Sequence, residues 1–187
     1  MTARKPRADA ERNRLLLVEQ AKATFAEKGS AASLDEIARA AGVGIGTLYR
    51  HFPTRDALVS AVYRKESDQL AAAAPRLAGT LDPVAALRAW MLLFVDYLAT
   101  KRGMAEVLNS LTDGPSGLYA ESSHGMLTAL GMLVDRASTS GDLRSDIDPA
   151  DLLRAVGGVA YLSPAPDWQE TARRMVDILI AGLRKAD

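Results

Sequence analysis

Apolar residues recur every three to four positions along most of the chain, the spacing that places them on one face of an α-helix. Alternating β-branched runs are absent and alanine is abundant, and both features favour helix over strand. Capping residues, glycines and prolines then divide the pattern into segments. The sequence predicts an all-α fold of about nine helices, over residues 10–28, 34–40, 44–51, 55–77, 83–101, 104–112, 117–139, 149–162 and 168–185.

The clearest local signal lies between residues 33 and 52. Ser33 and Glu36 form a capping box, in which each side chain bonds a backbone N–H at the start of a helix. Gly42 supplies the backbone freedom that a tight turn needs before the next short helix. Apolar residues on both helices can pack together, namely Leu34, Ile37, Ala38, Val43, Leu48 and Phe52. This pattern is typical of a helix-turn-helix, whose second helix enters the DNA major groove.

Composition narrows the class of protein. The chain has 187 residues, 48% of them hydrophobic and 25% charged, which fits one large or two small globular domains. It has no cysteine, so disulfides, zinc–thiolate sites and cysteine nucleophiles are excluded. No run approaches the roughly 18 consecutive apolar residues of a membrane span, and the N-terminus does not read as a secretory signal. We therefore expect a cytoplasmic protein.

The net charge of zero conceals an asymmetry between two parts of the chain. Residues 1–65 carry 12 Lys or Arg and 7 Asp or Glu, a net charge of +5, and residues 66–187 carry 11 and 16, a net charge of −5. A basic segment beside an acidic one indicates a module that meets a polyanion. We expect a DNA-binding domain over 1–65, with Arg4, Lys5 and Arg7 in a basic arm, and a second domain over 66–187.

Several of these motifs occur together in one known family. The segments 25–29, 33–38, 41–43, 47–52 and 55–58 resemble the DNA-binding domain of TetR-family transcription regulators, in order and in spacing. The resemblance covers residues 10–63, with a weaker echo at 141–149. It implies a three-helix helix-turn-helix domain followed by a helical ligand-binding and dimerisation domain. It also implies a homodimer, most simply a repressor, that binds a palindromic operator and is released by a small molecule. The methionine and aromatic candidates for the pocket wall, given below, favour a largely apolar molecule.

The resemblance and side-chain chemistry together assign DNA contacts. Tyr49, His51, Thr47 and Arg55 match positions that the family uses at or near the DNA backbone. Arginine pairs with guanine and an apolar side chain meets a thymine methyl, which favours Arg50 and Ile45 as base-reading residues. The residues expected to contact DNA are Ser33, Ile45, Thr47, Tyr49, Arg50, His51 and Arg55. The alternatives are a core position for Tyr49 and solvated surface positions for Arg50, His51 and Arg55.

One departure bears on how sequence is read. Gly44 and Gly46 stand at the start of the recognition helix, where base-reading side chains are expected. Few side chains are therefore available to read base edges directly, and sequence specificity is expected to depend more on DNA shape. This departure keeps a second function open, a ligand-binding sensor that no longer recognises an operator.

The C-terminal segment offers a pocket and an interface. By resemblance, a ligand would lie between helices 83–101 and 117–139, against Trp90, Phe94, Tyr97, Met126 and Leu130, which could equally be plain core. Asp96 is expected at the surface, paired with an arginine, or aimed into the pocket.

The last two helices are expected to pair across a two-fold axis, although they could merely close the monomer core. The residues expected at this interface are Leu152, Val156, Val159, Met175, Val176, Leu179 and Leu183.

Catalysis is the competing class of function. The chain has only two histidines, His51 and His124, and it has no recognisable metal spacing and no nucleophile elbow. We therefore expect no enzyme activity, no metal and no cofactor.

Overall fold

The computed structural model describes residues 5–144, 146, 148–162 and 166–185, and over these residues the protein is helical. Its α-helices are α1 (Lys5–Lys28), α2 (Leu34–Ala40), α3 (Ile45–His51), α4 (Arg55–Thr80), α5 (Pro83–Gly103), α6 (Ala105–Asn109), α7 (Ser116–Thr139), α8 (Pro149–Leu162) and α9 (Trp168–Leu183). A 3₁₀ turn, Gly29–Ala31, follows α1. The all-α prediction is confirmed.

The predicted helix bounds differ from the observed ones mainly in α1, α4 and α6, and α4 ends at Thr80 where residue 77 was expected. α1 begins at residue 5, not 10, and Pro6 is compatible with this start, since a helical N–H in the first turn has no intrahelical partner to lose. α6 was expected over 104–112 and ends at Asn109. The backbone N–H of Thr112 donates to the carboxylate of Asp56, 3.0 Å away, so it does not extend the helix.

The chain forms two compact units, each with its own core. The first comprises residues 1–65 and 101–118, and therefore includes α6 as well as α1 to α3. Its fully buried side chains include Leu17, Phe25, Ile37, Leu48, Leu58, Met104 and Leu108. The second comprises residues 66–100 and 119–187 and is centred on Leu87, Trp90, Met91, Leu130 and Leu133. The chain passes from one unit to the other within α4, α5 and α7.

α5 is the most apolar of the long helices. By length and hydropathy it alone, among the described residues, passes a test for membrane-spanning helices. Half of the window that passes is buried within the protein, as in the core helix of a globular unit. Its buried residues include Leu87, Trp90, Phe94 and Val95, which line the interior of the second unit. The helix therefore forms part of a protein core.

Candidate nucleic-acid interface

The helix-turn-helix is fixed by local hydrogen bonds. The Ser33 hydroxyl accepts from the Glu36 N–H at 3.1 Å, and the Glu36 carboxylate accepts from the Ser33 N–H at 3.2 Å, so the predicted capping box is present. Gly42 adopts φ +71°, a conformation that favours glycine, and the Val43 N–H donates back to the Ala38 carbonyl at 3.0 Å. These bonds set the direction in which α3 leaves the turn.

The two faces of α3 have different surroundings. Leu48 is fully buried, and Phe52, just after the helix, is 3% exposed. Ile45 and Tyr49, one turn apart on a neighbouring face, are 37% and 49% exposed. Tyr49 is therefore not a core residue. An apolar side chain and a tyrosine held in solvent on one helix face form a surface suited to base edges and phosphates.

The predicted DNA-contacting residues do not share one environment. Ser33, Ile45, Tyr49 and Arg50 are exposed, whereas Thr47, His51 and Arg55 are half-buried. The described part of α3 thus presents Ile45, Tyr49 and Arg50 as its most accessible side chains. The Ser33 hydroxyl is partly committed to its cap, although a hydroxyl that accepts one bond can still donate another.

Arg55 has partners within the protein that the sequence did not predict. Its guanidinium donates to the carbonyl of Ser30 at 3.1 Å and to the carbonyl of Ala32, and its Cζ lies 5.0 Å from the centroid of the Phe25 ring. These three contacts hold the segment that leads into α2. Nothing in the sequence signals them, because they join residues 23 to 30 positions apart whose side chains share no motif.

Polar contacts also join the segment 101–118 to the rest of the first unit. The Ser30 hydroxyl donates to Glu106 on α6. Asp56, at the start of α4, accepts from both the N–H and the hydroxyl of Thr112, at 3.0 and 2.7 Å. These two hydrogen bonds, and above all the backbone one, lower the pKa of Asp56. The sequence did not predict these contacts, because their partners are 56 residues (Asp56 and Thr112) and 76 residues (Ser30 and Glu106) apart.

The predicted pocket residues are buried in the second unit. Trp90 and Phe94 stack at 6.1 Å and 7° between their planes, and Phe94 and Tyr97 stack at 6.1 Å and 18°. The Trp90 indole donates to the carbonyl of Leu70 on α4 at 2.8 Å. The other two predicted wall residues, Met126 and Leu130, are buried on α7.

The predicted dimer residues divide by exposure. Three are buried in the unit itself, namely Leu152, Val156 and Val176. Four are half-buried, namely Val159, Met175, Leu179 and Leu183. More exposed apolar side chains, which the sequence did not predict at the interface, lie on the same two helices: Tyr161 is 60%, Leu162 85% and Ile178 64% exposed. α8 and α9 thus present an apolar outer surface in addition to their buried contacts.

Two ion pairs join α9 to α5. Arg88 makes a bidentate pair with Asp177, at 2.6 and 3.2 Å, and this pairing lowers the pKa of the Asp177 carboxyl. Asp96 is exposed and accepts from Arg173 at 2.5 Å, so of the three places considered for this acid, the surface and pairing with an arginine are both observed. Among the described residues, no cluster of three His, Asp or Glu side chains could hold a metal ion.

Comparison with known proteins decides the family. Residues 17–62 match the model described as "Bacterial regulatory proteins, tetR family", and residues 82–185 match "Transcriptional regulator SbtR-like, C-terminal domain". The chain belongs to the TetR family of transcription regulators. The predicted family is therefore confirmed, and because this family consists of regulators, the protein is a DNA-binding transcription regulator and not an enzyme.

Individual TetR-family relatives resemble the chain over nearly its whole length. The HTH-type transcriptional repressor Rv1474c of Mycobacterium tuberculosis is 30% identical, with 95% of each chain covered. The TetR regulator SCO0520 of Streptomyces coelicolor is 42% identical with a TM-score of 0.82, covering 93% of this chain and 99% of that one. A TetR regulator of Mycobacterium vanbaalenii is 35% identical with a TM-score of 0.78, covering 96% and 99%.

Proposed function

We propose that the protein is a cytoplasmic homodimeric repressor that reads a palindromic operator with α3 and is released by a small, largely apolar molecule. Residues 1–65 would serve DNA binding, and residues 66–187 ligand binding and dimerisation. The observation that carries the proposal is the two-sided surface of α3. Leu48 belongs to the core, while Ile45, Tyr49 and Arg50 are exposed on the rest of the helix.

Each predicted contact has a proposed partner on the DNA. Arg50 and Ile45 would meet base edges, and Ser33, Thr47, Tyr49 and His51 would meet the sugar-phosphate backbone. Arg55 was also expected at phosphate, and that contact stays a prediction. Its bonds to the Ser30 and Ala32 carbonyls support a second role, in which Arg55 positions the start of α2. Of the proposed basic arm, Arg4 and the side chains of Lys5 and Arg7 lie outside the described residues.

The outer surface of α8 and α9 supports dimerisation. Tyr161 and Leu162 at the end of α8 and Ile178 on α9 are exposed apolar side chains, and Met175 and Leu179, near Ile178 on α9, are half-buried. Burial of these side chains against a second copy would complete a four-helix interface with two-fold symmetry. Such symmetry would present two recognition helices to successive major grooves, about 34–36 Å apart.

Dimerisation has a direct test. Ile178→Glu should convert the dimer to monomers in analytical ultracentrifugation, because a carboxylate would be buried at the interface without a partner. Leu93→Glu is the matched control, since Leu93 is also an exposed apolar residue of the second unit, at 40%, but lies on α5. A stable dimer of the Ile178 variant would place the interface elsewhere.

Operator binding is tested by fluorescence anisotropy with DNA from immediately upstream of the gene, against a scrambled duplex. Two protomers should bind the first duplex selectively, and affinity should fall steeply with salt as phosphate contacts are screened. Arg50→Gln should weaken selective binding, whereas Arg76→Gln, which removes the same charge from an exposed site on α4, should not. Equal binding of both duplexes at every salt concentration would count against an operator in this DNA.

Gly44 and Gly46 favour the second candidate, a sensor without sequence-specific DNA binding. A Cβ atom at either position would meet nothing within 4 Å, so packing does not require glycine there. Their lack of side chains leaves few groups to read bases. The same measurement distinguishes the two candidates, because a sensor would bind both duplexes equally and weakly.

A further inference from the structure

One side of α1 is apolar and exposed to solvent. Leu17 and Val18 are buried in the core of the first unit, whereas the preceding Leu15 and Leu16 are 44% and 36% exposed. Both leucines belong to a shallow apolar surface, the α1 face, which is lined by Ala8, Glu11, Arg12, Leu15, Leu16 and Glu19. Their spacing places these residues on one side of a single helix. Within the described part of the chain, nothing forms a second wall over this surface.

The charges of the α1 face disfavour a polyanion as its occupant. Glu11 and Glu19 outnumber Arg12 there, and carboxylates repel phosphate groups. Glu19 pairs with Lys65 of α4 through Oε1, and its second carboxylate oxygen can accept another hydrogen bond. Arg12 is exposed and makes no ion pair within the residues that the structure describes. The face therefore offers a cation and a carboxylate on either side of two leucines.

The order of these residues along α1 is self-complementary. Two copies of the helix can pair antiparallel about a two-fold axis that crosses midway between Leu15 and Leu16. Arg12 and Glu19 are equally far from this midpoint, so each Arg12 lies level with Glu19 of the other copy. They also lie on the same side of the helix, because seven residues make about two turns. The leucines of both copies then meet at the axis, between two Arg12–Glu19 ion pairs.

From this complementarity we propose that the α1 face is a self-association surface, in which α1 pairs antiparallel with α1 of a second copy of the chain. Its residues are separate from those proposed for the interface on α8 and α9. A single pair of helices buries little area, so the association is weak and transient in solution. Copies bound side by side on DNA are held at a high local concentration, and there the same contact favours binding of a neighbour. Only this last consequence rests on the proposed function.

Cysteine crosslinking detects the contact, because the chain has no cysteine of its own. Leu16→Cys places two thiols beside the two-fold axis, where the Cα atoms come within the roughly 7 Å that a disulfide allows. Under mild oxidation without DNA, the full chain with this substitution should form crosslinked pairs on a denaturing gel. Ala10→Cys is the matched control, since Ala10 is exposed on the opposite side of the same helix. It should crosslink about tenfold more slowly.

Charge reversal tests the pairing itself. Arg12→Glu leaves only carboxylates at the two ion-pair positions, and Glu19→Arg leaves only guanidinium groups. Either substitution, added to Leu16→Cys, should slow crosslinking about fivefold. An equal mixture of the two variants should recover at least about half of the original rate, because each copy then meets its complement. Mass spectrometry should show that the recovered product joins unlike copies, and thermal unfolding verifies that each variant remains folded.

Two outcomes would overturn the proposal. Crosslinking that is no faster at Leu16→Cys than at Ala10→Cys would refute self-pairing and leave the α1 face to a different protein. Crosslinking that charge reversal does not slow, or that the mixture does not restore, would refute the antiparallel arrangement. Because DNA is absent from these measurements, a protein that binds no operator but crosslinks as described would refute only the proposed function.

Discussion

Asp56 accepts two hydrogen bonds from Thr112, one from its backbone N–H at 3.0 Å and one from its hydroxyl at 2.7 Å. This relationship joins the start of α4 to the segment after α6. It also keeps the N–H of Thr112 outside α6, which ends at Asn109. The pKa of the Asp56 carboxyl is lowered because both donors favour its charged form.

The lowered pKa of Asp56 predicts a pH-dependent contribution to stability. The contribution is fully present above the ordinary carboxyl pKa of 3.8 and is lost as the pH falls through the lower folded-state pKa. Asp56→Asn should therefore reduce the free energy of unfolding at pH 7 and converge with the wild type at the acid end. Urea unfolding of both proteins at a series of pH values measures the difference. Asp68→Asn, at an exposed position of α4, is the control, and an equal pH trend for both variants would refute the assignment.

Gly29 is the position in the first unit where a side chain fits least well. Its φ is +56°, and a Cβ atom would lie 2.4 Å from Glu106 Oε2. Gly29→Ala should lower the free energy of unfolding by about 1–2 kcal/mol from backbone strain alone, plus a steric cost. Gly42→Ala is the control, because Gly42 has φ +71° but open space around it.

A double-mutant cycle separates the two costs at Gly29. Measured against Glu106→Ala alone, which already lacks the Ser30 hydrogen bond, Gly29→Ala should cost only the strain, so that difference should match the loss caused by Gly42→Ala. Chemical denaturation gives all the required values. Strictly additive effects of the two substitutions would show that the Glu106 side chain moves aside without cost.

The two roles assigned to Arg55 predict different salt dependences. Loss of one phosphate contact per protomer should reduce the slope of log affinity against log salt by about 0.9 per contact. If Arg55 acts by holding the Ser30 and Ala32 carbonyls, Arg55→Gln should instead lower stability by about 1–3 kcal/mol and leave that slope unchanged. We expect the second result. A slope that falls as it would for a lost phosphate contact, with stability intact, would restore the phosphate role.

The sequence predicted what is encoded locally. The Ser33 cap, the Gly42 turn and the spacing of Ile37, Leu48 and Phe52 lie within 20 residues, so short-range rules place them correctly. The contacts of Arg55 with Ser30 and Ala32, and the Asp56–Thr112 hydrogen bonds, depend on residues that the fold brings together. No spacing in the sequence predicts them. The sequence also could not predict which apolar side chains are exposed. Leu152 and Ile178 carry similar side chains, but Leu152 is buried and Ile178 is exposed.

The last prediction concerns Gly46 in the recognition helix. Alanine stabilises a helix interior by up to about 1 kcal/mol relative to glycine, and a Cβ atom at Gly46 would meet nothing in the free protein. Gly46→Ala should therefore raise the free energy of unfolding while weakening operator binding, because the added methyl occupies space that the DNA would fill. Gly125→Ala, at another open helical position on α7, should stabilise the protein without changing operator affinity. Anisotropy and chemical denaturation measure both effects. If Gly46→Ala stabilises the protein and binds the operator as tightly as the wild type, DNA does not approach the backbone of α3 at this point, and readout must depend on Ile45, Arg50 and DNA shape.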